Sequence, residues 1–274
     1  MAQVIDRLQP RDIVGATVDG MRMLLRTGFP RATAYPPHTG DPAEGFRWAI
    51  EHVPPGTVAA ARAYGRRRGA TLNDLLLAAF LVAAGRVSQK RPDARLRVMS
   101  TVDLRRYVPG KRIDRLCNLS GFEVLTLPRG AGDALETAVV AVARRTAERK
   151  RRPIGMVGMV GAPLFERTGQ GTLDALFRTI FELSRRTGNL APSLTNMGAL
   201  EPESLSFDGC PPSSAWLLVP AHLPPYVGAG ASGYRGALTL TAATTPSFES
   251  GMRALLRAIG DLLAGAAGEE GRTG

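Results

Sequence analysis

Cysteine and histidine are both scarce in this sequence, with two of the first and three of the second in 274 residues. Cys117 and Cys210 lie far apart, in no metal-ligand spacing, and neither has a histidine close by in the chain to activate it. Both read as reduced, structural thiols rather than nucleophiles or halves of a disulfide framework. His38, His52 and His222 each lie beside or near proline. No set of His, Cys, Asp or Glu has the spacing of a metal site, so no metal is expected. Among the three histidines His222 is the one candidate for a base, because it falls in the strand-rich C-terminal part. Long apolar runs are missing too. The longest, Leu75 to Ala84, is far short of the roughly 20 residues a membrane-spanning helix needs. Residues 1–9 carry Asp6 and Arg7 and hold no apolar signal core, which leaves a cytoplasmic address as the default. There is no G-x-S-x-G elbow and no repeat with a period of 20–50 residues, which disfavours an α/β-hydrolase and a solenoid.

Two glycine-rich stretches imitate nucleotide sites without their context. Gly228-Ala-Gly230-Ala-Ser-Gly233 matches G-x-G-x-x-G, but Pro224-Pro225 precedes it and a strand, Ala237 to Ala242, follows. A dinucleotide site needs a strand before and a helix after, so this stretch reads as a flexible hairpin loop. Gly155-Met-Val-Gly158-Met-Val-Gly161 has neither the spacing of a phosphate-binding loop nor its Lys-Ser/Thr pair. Close packing of a mobile segment accounts for it better.

What the chain does have is positive charge and an ordinary globular balance: a formal net charge of +11, with 44% hydrophobic and 22% charged residues. The charge bears on partners, not on fold. Nucleic acid, a phosphate-rich thioester carrier (coenzyme A or an acidic acyl carrier protein) and a merely solvated arginine-rich surface are the three readings. The clusters Arg66-Arg-Arg68 and Arg149–Arg152 have no interleaved aromatics, which disfavours nucleic acid. The second cluster also sits where cations complement a helix C-terminus.

Periodicity orders the elements. Residues 1–28 read as helical through Ile13, Val18, Met21, Leu24 and Leu25, and residues 29–46, rich in Pro and Gly, as an extended crossover. Phe46 to Val53 reads as a strand, and Thr57 to Arg68 as a helix stopped by Gly69. A second helix opens with Thr71 as N-cap and Asp74 three residues on, an acidic capping box. Its interior is apolar on nearly all faces, which places it inside a domain, and Gly85 reads as its end. Strands follow at Leu96 to Val102 and Phe122 to Leu127, with a basic loop over Arg105 to Arg115 between them. Helices are expected over Asp133 to Lys150 and over 172–186, strands over Ala215 to Val219 and Ala237 to Ala242, and a closing helix over 250–265. The chain divides into an N-terminal helix and crossover (1–45), one α/β domain (46–265) and a flexible tail (266–274).

Four segments carry a family resemblance: Thr71-Leu-Asn-Asp-Leu-Leu-Leu-Ala-Ala-Phe80, Val102-Asp-Leu-Arg105, Asn118-Leu-Ser-Gly121 and Thr195-Asn-Met-Gly198. In that order they resemble the "gvTlNDvllAA" helix, the "vDLR" strand end, the "gNlsg" segment and the "SNlG" turn of condensation domains and alcohol acetyltransferase-like enzymes. These belong to the chloramphenicol-acetyltransferase-like, coenzyme A-dependent acyltransferase superfamily. The resemblance covers residues 45–265 and implies the C-terminal subdomain of that fold, a mixed sheet flanked by helices. It also implies a channel between two such subdomains, shaped here by Asp103, Arg105, Asn118, Gly121, Asn196 and Gly198. No bound cofactor is implied; an acyl-coenzyme A or acyl carrier protein thioester would be the donor substrate. The family's base is the second histidine of H-H-x-x-x-D-G, and these 274 residues contain no such motif. The chain reads as starting just beyond it, so whether it is an enzyme by itself stays open. The resemblance therefore implies a partner, either an N-terminal half-domain or a second copy, or else a non-catalytic docking role toward an acidic carrier. It also implies that Arg105, without the signature's aspartate, is left unpartnered or is rearranged into solvent.

Overall fold

The computed structural model describes residues 14–15, 17–18, 41–87, 96–108, 119–127, 130–151, 153–156, 169–187, 191–221 and 226–273. Most of the expected helix over 1–28, residues 29–40 of the crossover, Cys117, Asn118, His38 and His222 lie outside them; residues 14–15 and 17–18 are helical. Six strands, β1 (Arg47–Val53), β2 (Leu96–Asp103), β3 (Ser120–Leu127), β4 (Ser193–Ala199), β5 (Gly228–Tyr234) and β6 (Ala237–Thr244), form one sheet in the order β1-β6-β5-β4-β2-β3. β2 and β5 run parallel to β4, and the other pairs are antiparallel, so the sheet is mixed, as expected. The described helices are α1 (Pro55–Arg67), α2 (Leu72–Val87), α3 (Leu135–Lys150), α4 (Gln170–Thr187) and α5 (Glu249–Thr273).

The core explains this order. Ala49, Val53, Val98, Leu125, Leu127, Leu194, Ala229, Ala231, Leu238, Leu240 and Ala242 alternate along their strands and all face one side. α1, α2, α3 and α5 cover that side. Helix α2 is its centre: every residue from Leu75 to Ala84 is buried. α1 ends in a Schellman turn, in which Gly69 takes φ +67° while Ala70 N–H reaches Gly65 O and Gly69 N–H reaches Arg66 O. α2 then starts at once through the expected capping box. Thr71 N–H and Oγ1 donate to Asp74 Oδ2 at 2.9 and 2.7 Å, and Asp74 N–H returns to Thr71 Oγ1 at 3.2 Å. The other oxygen of Asp74 accepts from Thr146 Oγ1 on α3 at 2.7 Å. One buried carboxylate thus caps a helix and joins it to its neighbour.

A smaller cluster of Val102, Leu104, Val108, Leu119 and Met156 closes the far end of β2. It requires glycine twice. A Cβ on Gly121 would lie 2.1 Å from Gly155 O, and one on Gly155, itself at φ +80°, would lie 2.8 Å from Val102 Cβ. Gly155 therefore acts through close packing, as the sequence suggested; Gly158 and Gly161 lie outside the described residues. Tyr107 Oη accepts from Ile154 N–H at 2.9 Å and clamps the same crossing. In the Arg149–Arg152 run, Arg149 has a structural role, with its Nε 2.7 Å from Glu123 Oε1.

Several expectations are corrected. Gly85 does not stop α2, which runs on to Val87, and the closing helix, read over 250–265, spans Glu249–Thr273. Gly228 to Gly233 is not a loop but the buried strand β5, joined to β6 by Arg235-Gly236 with both φ values positive (47° and 80°). That is a two-residue hairpin turn whose twist matches the strands, and the small residues of β5 serve packing. Ala215 to Val219 is not in a ladder. It crosses the sheet face opposite the helices as a strap, held by side chains: Leu217 N–H donates to Ser232 Oγ at 2.9 Å, Leu217 O accepts from Thr241 Oγ1 at 2.8 Å, and Tyr234 Oη donates to Pro212 O. Gly230 lets it lie close, since a Cβ there would stand 2.5 Å from Val219 Cγ1.

Asp74→Ala strands three donors in a buried setting and is expected to cost about 3 kcal/mol, read as a lower urea midpoint at unchanged slope. Gly121→Ala is expected to cost a similar amount, about 3 kcal/mol, by forcing Gly155 away.

Candidate functional site

The resemblance segments, scattered over more than a hundred residues, meet at one end of the sheet. Val102 pairs with Gly121 and Asp103 with Ser120 across β2 and β3. On the other side of β2 the parallel register Met99–Ser193 and Ser100–Leu194 leads Asn196 toward the same end. Helix α2 brings its first turn there: Asn196 Nδ2 donates to Asn73 Oδ1 at 3.0 Å. Asn73 was not singled out from the sequence. The available signal was its place in Thr71-Leu-Asn-Asp, where Thr71 and Asp74 form the cap and Asn73 takes no part in it.

Asn196 also shapes its own strand. Its Oδ1 accepts from Gly198 N–H at 2.9 Å, Gly198 sits at φ +74°, and the pairing with β5 slips between Asn196 and Ala199. This is a bulge, one extra residue that breaks the ladder and re-aims a side chain. The side chain re-aimed is Met197, 53% exposed. Asn196 and Gly198, expected to line a channel, build this turn and hold it to α2.

Arg105 lies in solvent beside the aspartate of its own motif. Its Nε lies 2.8 Å from Asp103 Oδ1 with both side chains more than half exposed, and the same oxygen accepts Arg105 N–H at 3.0 Å. Asp103 thus caps the 3₁₀ turn Leu104–Tyr107 and neutralises the arginine of its own motif. An ion pair this wet is worth little. So weak a pair leaves the guanidinium able to exchange partners.

The one described histidine, His52, lies level with this end of the sheet but on the edge strand β1, separated from β4 by β5 and β6, with Nδ1 3.1 Å from Thr239 Oγ1 and its ring edge-on to Trp216 at 5.6 Å. Among the described residues no group of His, Cys, Asp or Glu could hold a metal ion, and no single helix is long and apolar enough to cross a membrane. What the motif end offers is two amides, a bulge and an exchangeable Asp–Arg pair. These can position and polarise a ligand, and no described histidine stands among them.

The chain matches no protein-family model and no curated protein sequence. Solved structures do match in fold. The chain is similar to the trichothecene 15-O-acetyltransferase from Fusarium sporotrichioides (TM-score 0.62, 13% identity, 96% of this chain and 54% of that one). It is also similar to the cyclization-docking bidomain of the EpoB nonribosomal peptide synthetase from Sorangium cellulosum (TM-score 0.61, 15% identity, 96% of this chain and 50% of that one). A third is the wax ester synthase/diacylglycerol acyltransferase from Marinobacter aquaeolei VT8 (TM-score 0.55, 12% identity, 94% of this chain and 57% of that one). The chain spans about half the length of these structures.

A double-mutant cycle measures the bridge between the motifs. Asn73→Ala and Asn196→Ala are each expected to cost about 1–2 kcal/mol, with a coupling of about 1 kcal/mol, read by chemical denaturation. Arg105→Ala is expected to change stability by less than about 0.5 kcal/mol.

Proposed function

We propose that this chain, which has the fold of condensation/cyclization domains and acyltransferases and spans about half the length of the structures it matches, is one lobe of an acyl-transfer catalyst, moving an acyl group from a coenzyme A or carrier-protein thioester to a hydroxyl or amine. The observation that carries this reading is the meeting of the described residues of all four resemblance segments at one sheet end, tied by the Asn73–Asn196 hydrogen bond. In the assembled catalyst a base takes the proton of the acceptor O–H or N–H, and the freed lone pair attacks the thioester carbonyl. The tetrahedral oxyanion is stabilised by donors of the site, and its collapse breaks the C–S bond and releases a thiol. Asn73, Asn196 and Gly198 shape the floor of that site. Arg105 exchanges Asp103 for a carboxylate of the second lobe. The histidine base comes from that lobe, since no adjacent histidine pair stands in these 274 residues. The setting is cytoplasmic.

A second reading is supported by the same missing base together with the net charge of +11: a non-catalytic docking module for an acidic acyl carrier protein.

Thiol release from acetyl- and long-chain acyl-coenzyme A, with a panel of alcohols and amines, separates the readings. The lobe reading expects silence from the chain alone and turnover, matched by ester or amide, when the polypeptide encoded immediately upstream is added. The docking reading expects salt-sensitive binding of an acyl carrier protein and no thiol release in either case. Turnover by the chain alone that disappears in His222→Ala would place the base within this chain and overturn both.

A further inference from the structure

We propose that the strap, residues 214–219, is a β-strand completed by a second copy of this chain, and that the two straps pair antiparallel about a two-fold axis at Leu217. The sequence of the strap is strand-like, and its burial alternates with period two: Trp216 and Leu218 are 38% and 46% exposed, whereas Val219 is 4% exposed. Yet it has no ladder partner among the described residues. Its backbone is held at Leu217 alone, where the N–H and C=O turn inward to Ser232 and Thr241. In an extended chain the N–H and C=O of the flanking residues point the other way. Those of Trp216 and Leu218 therefore point outward, and no described group bonds them. An edge with free backbone groups and apolar side chains is a template for another strand.

Three observations select a second copy as the occupant. The first is register. With Leu217 on the axis, the outward groups of Trp216 meet those of Leu218 in the partner, and the same pair forms twice. Each is an aromatic–aliphatic cross-strand pair that covers two exposed side chains. The second is charge. In a chain of net charge +11 no Asp, Glu, Lys or Arg lies between Asp208 and Arg235, so this is a stretch that meets its own copy without like-charge repulsion. The third is size. The solved structures of this fold hold about twice this chain's length, and a second copy supplies the same amount of folded chain. Pro212 and Pro220 bracket the strap and lack the N–H groups that would prolong the ladder, so the product is a closed dimer and not a fibre.

The proposal does not depend on acyl transfer. Light scattering across a dilution series of the purified chain should give twice 29.2 kDa at the concentrated end. Leu218→Pro removes an outward N–H and leaves the Leu217 bonds in place, and it should weaken the dimer at least about tenfold. Trp216→Lys should do the same with the backbone intact, and it carries the test if the proline variant does not fold by circular dichroism. Arg66→Glu, on the helix-covered side, should leave the dimer unchanged. A wild-type chain monomeric throughout would overturn the proposal, as would a dimer indifferent to both strap variants. A chain that stays monomeric alone and associates only with the upstream-encoded polypeptide would also overturn it, and would still leave the lobe reading of the function standing.

Discussion

Helix α2 is apolar on every side, and the rest of the fold is arranged to hide it. Such a helix cannot lie on a surface; it needs neighbours all round and something to orient it among them. Asp74 does the orienting. Its carboxylate closes the first turn through Thr71 and receives Thr146 from α3, so the start of α2 is fixed in rotation as well as position. Burying a carboxylate is tolerable because its hydrogen bonds are made. With α2 fixed, one residue along, Asn73 is presented to the sheet end where Asn196 waits.

The arrangement around Asn196 shows how stability and the proposed site share parts. The amide holds a glycine-dependent bulge, links β4 to α2 and turns Met197 outward. Asp103 likewise caps a turn and shields Arg105. These groups have structural work in the chain itself, and the proposed lobe reading gives them chemistry as well. The solvated Asp–Arg pair is weak enough to be exchanged, whereas the Asn73–Asn196 bridge is part-buried and not easily given up. The two faces of the sheet divide in the same way. One is sealed by helices over an aliphatic core. The other carries Thr, Ser and Gly, a side-chain-fastened strap and several exposed aromatic residues.

Much of this was legible in the sequence where the signal is local. The capping box at Thr71, the stop at Gly69, the buried run Leu75 to Ala84, the first residues of β2 and β6 and the last residue of β3 all follow from spacing and turn chemistry. Two glycine stretches were not legible in the same way. Gly228 to Gly233 reads as loop because glycine has no strand propensity, but in place its smallness is the reason it is a strand, packed between β4 and β6 under Val219. Ala215 to Val219 reads as strand because its alternation is real, but alternation reports which side chains are buried and not whether a ladder partner exists.

By itself, then, the sequence determined the class of fold, the centre of the core and the segments on which any site would be built, because each depends on residues near one another along the chain. It also determined that no adjacent histidine pair stands in these 274 residues. The tertiary structure alone decided which of those segments meet. It paired Asn73 with Asn196 across 123 residues, set Gly121 against Gly155, placed His52 beside Thr239 and laid the strap over Ser232 and Thr241. Each of these is a contact between distant parts of the chain, and such contacts are set by packing around α2 rather than by any local preference.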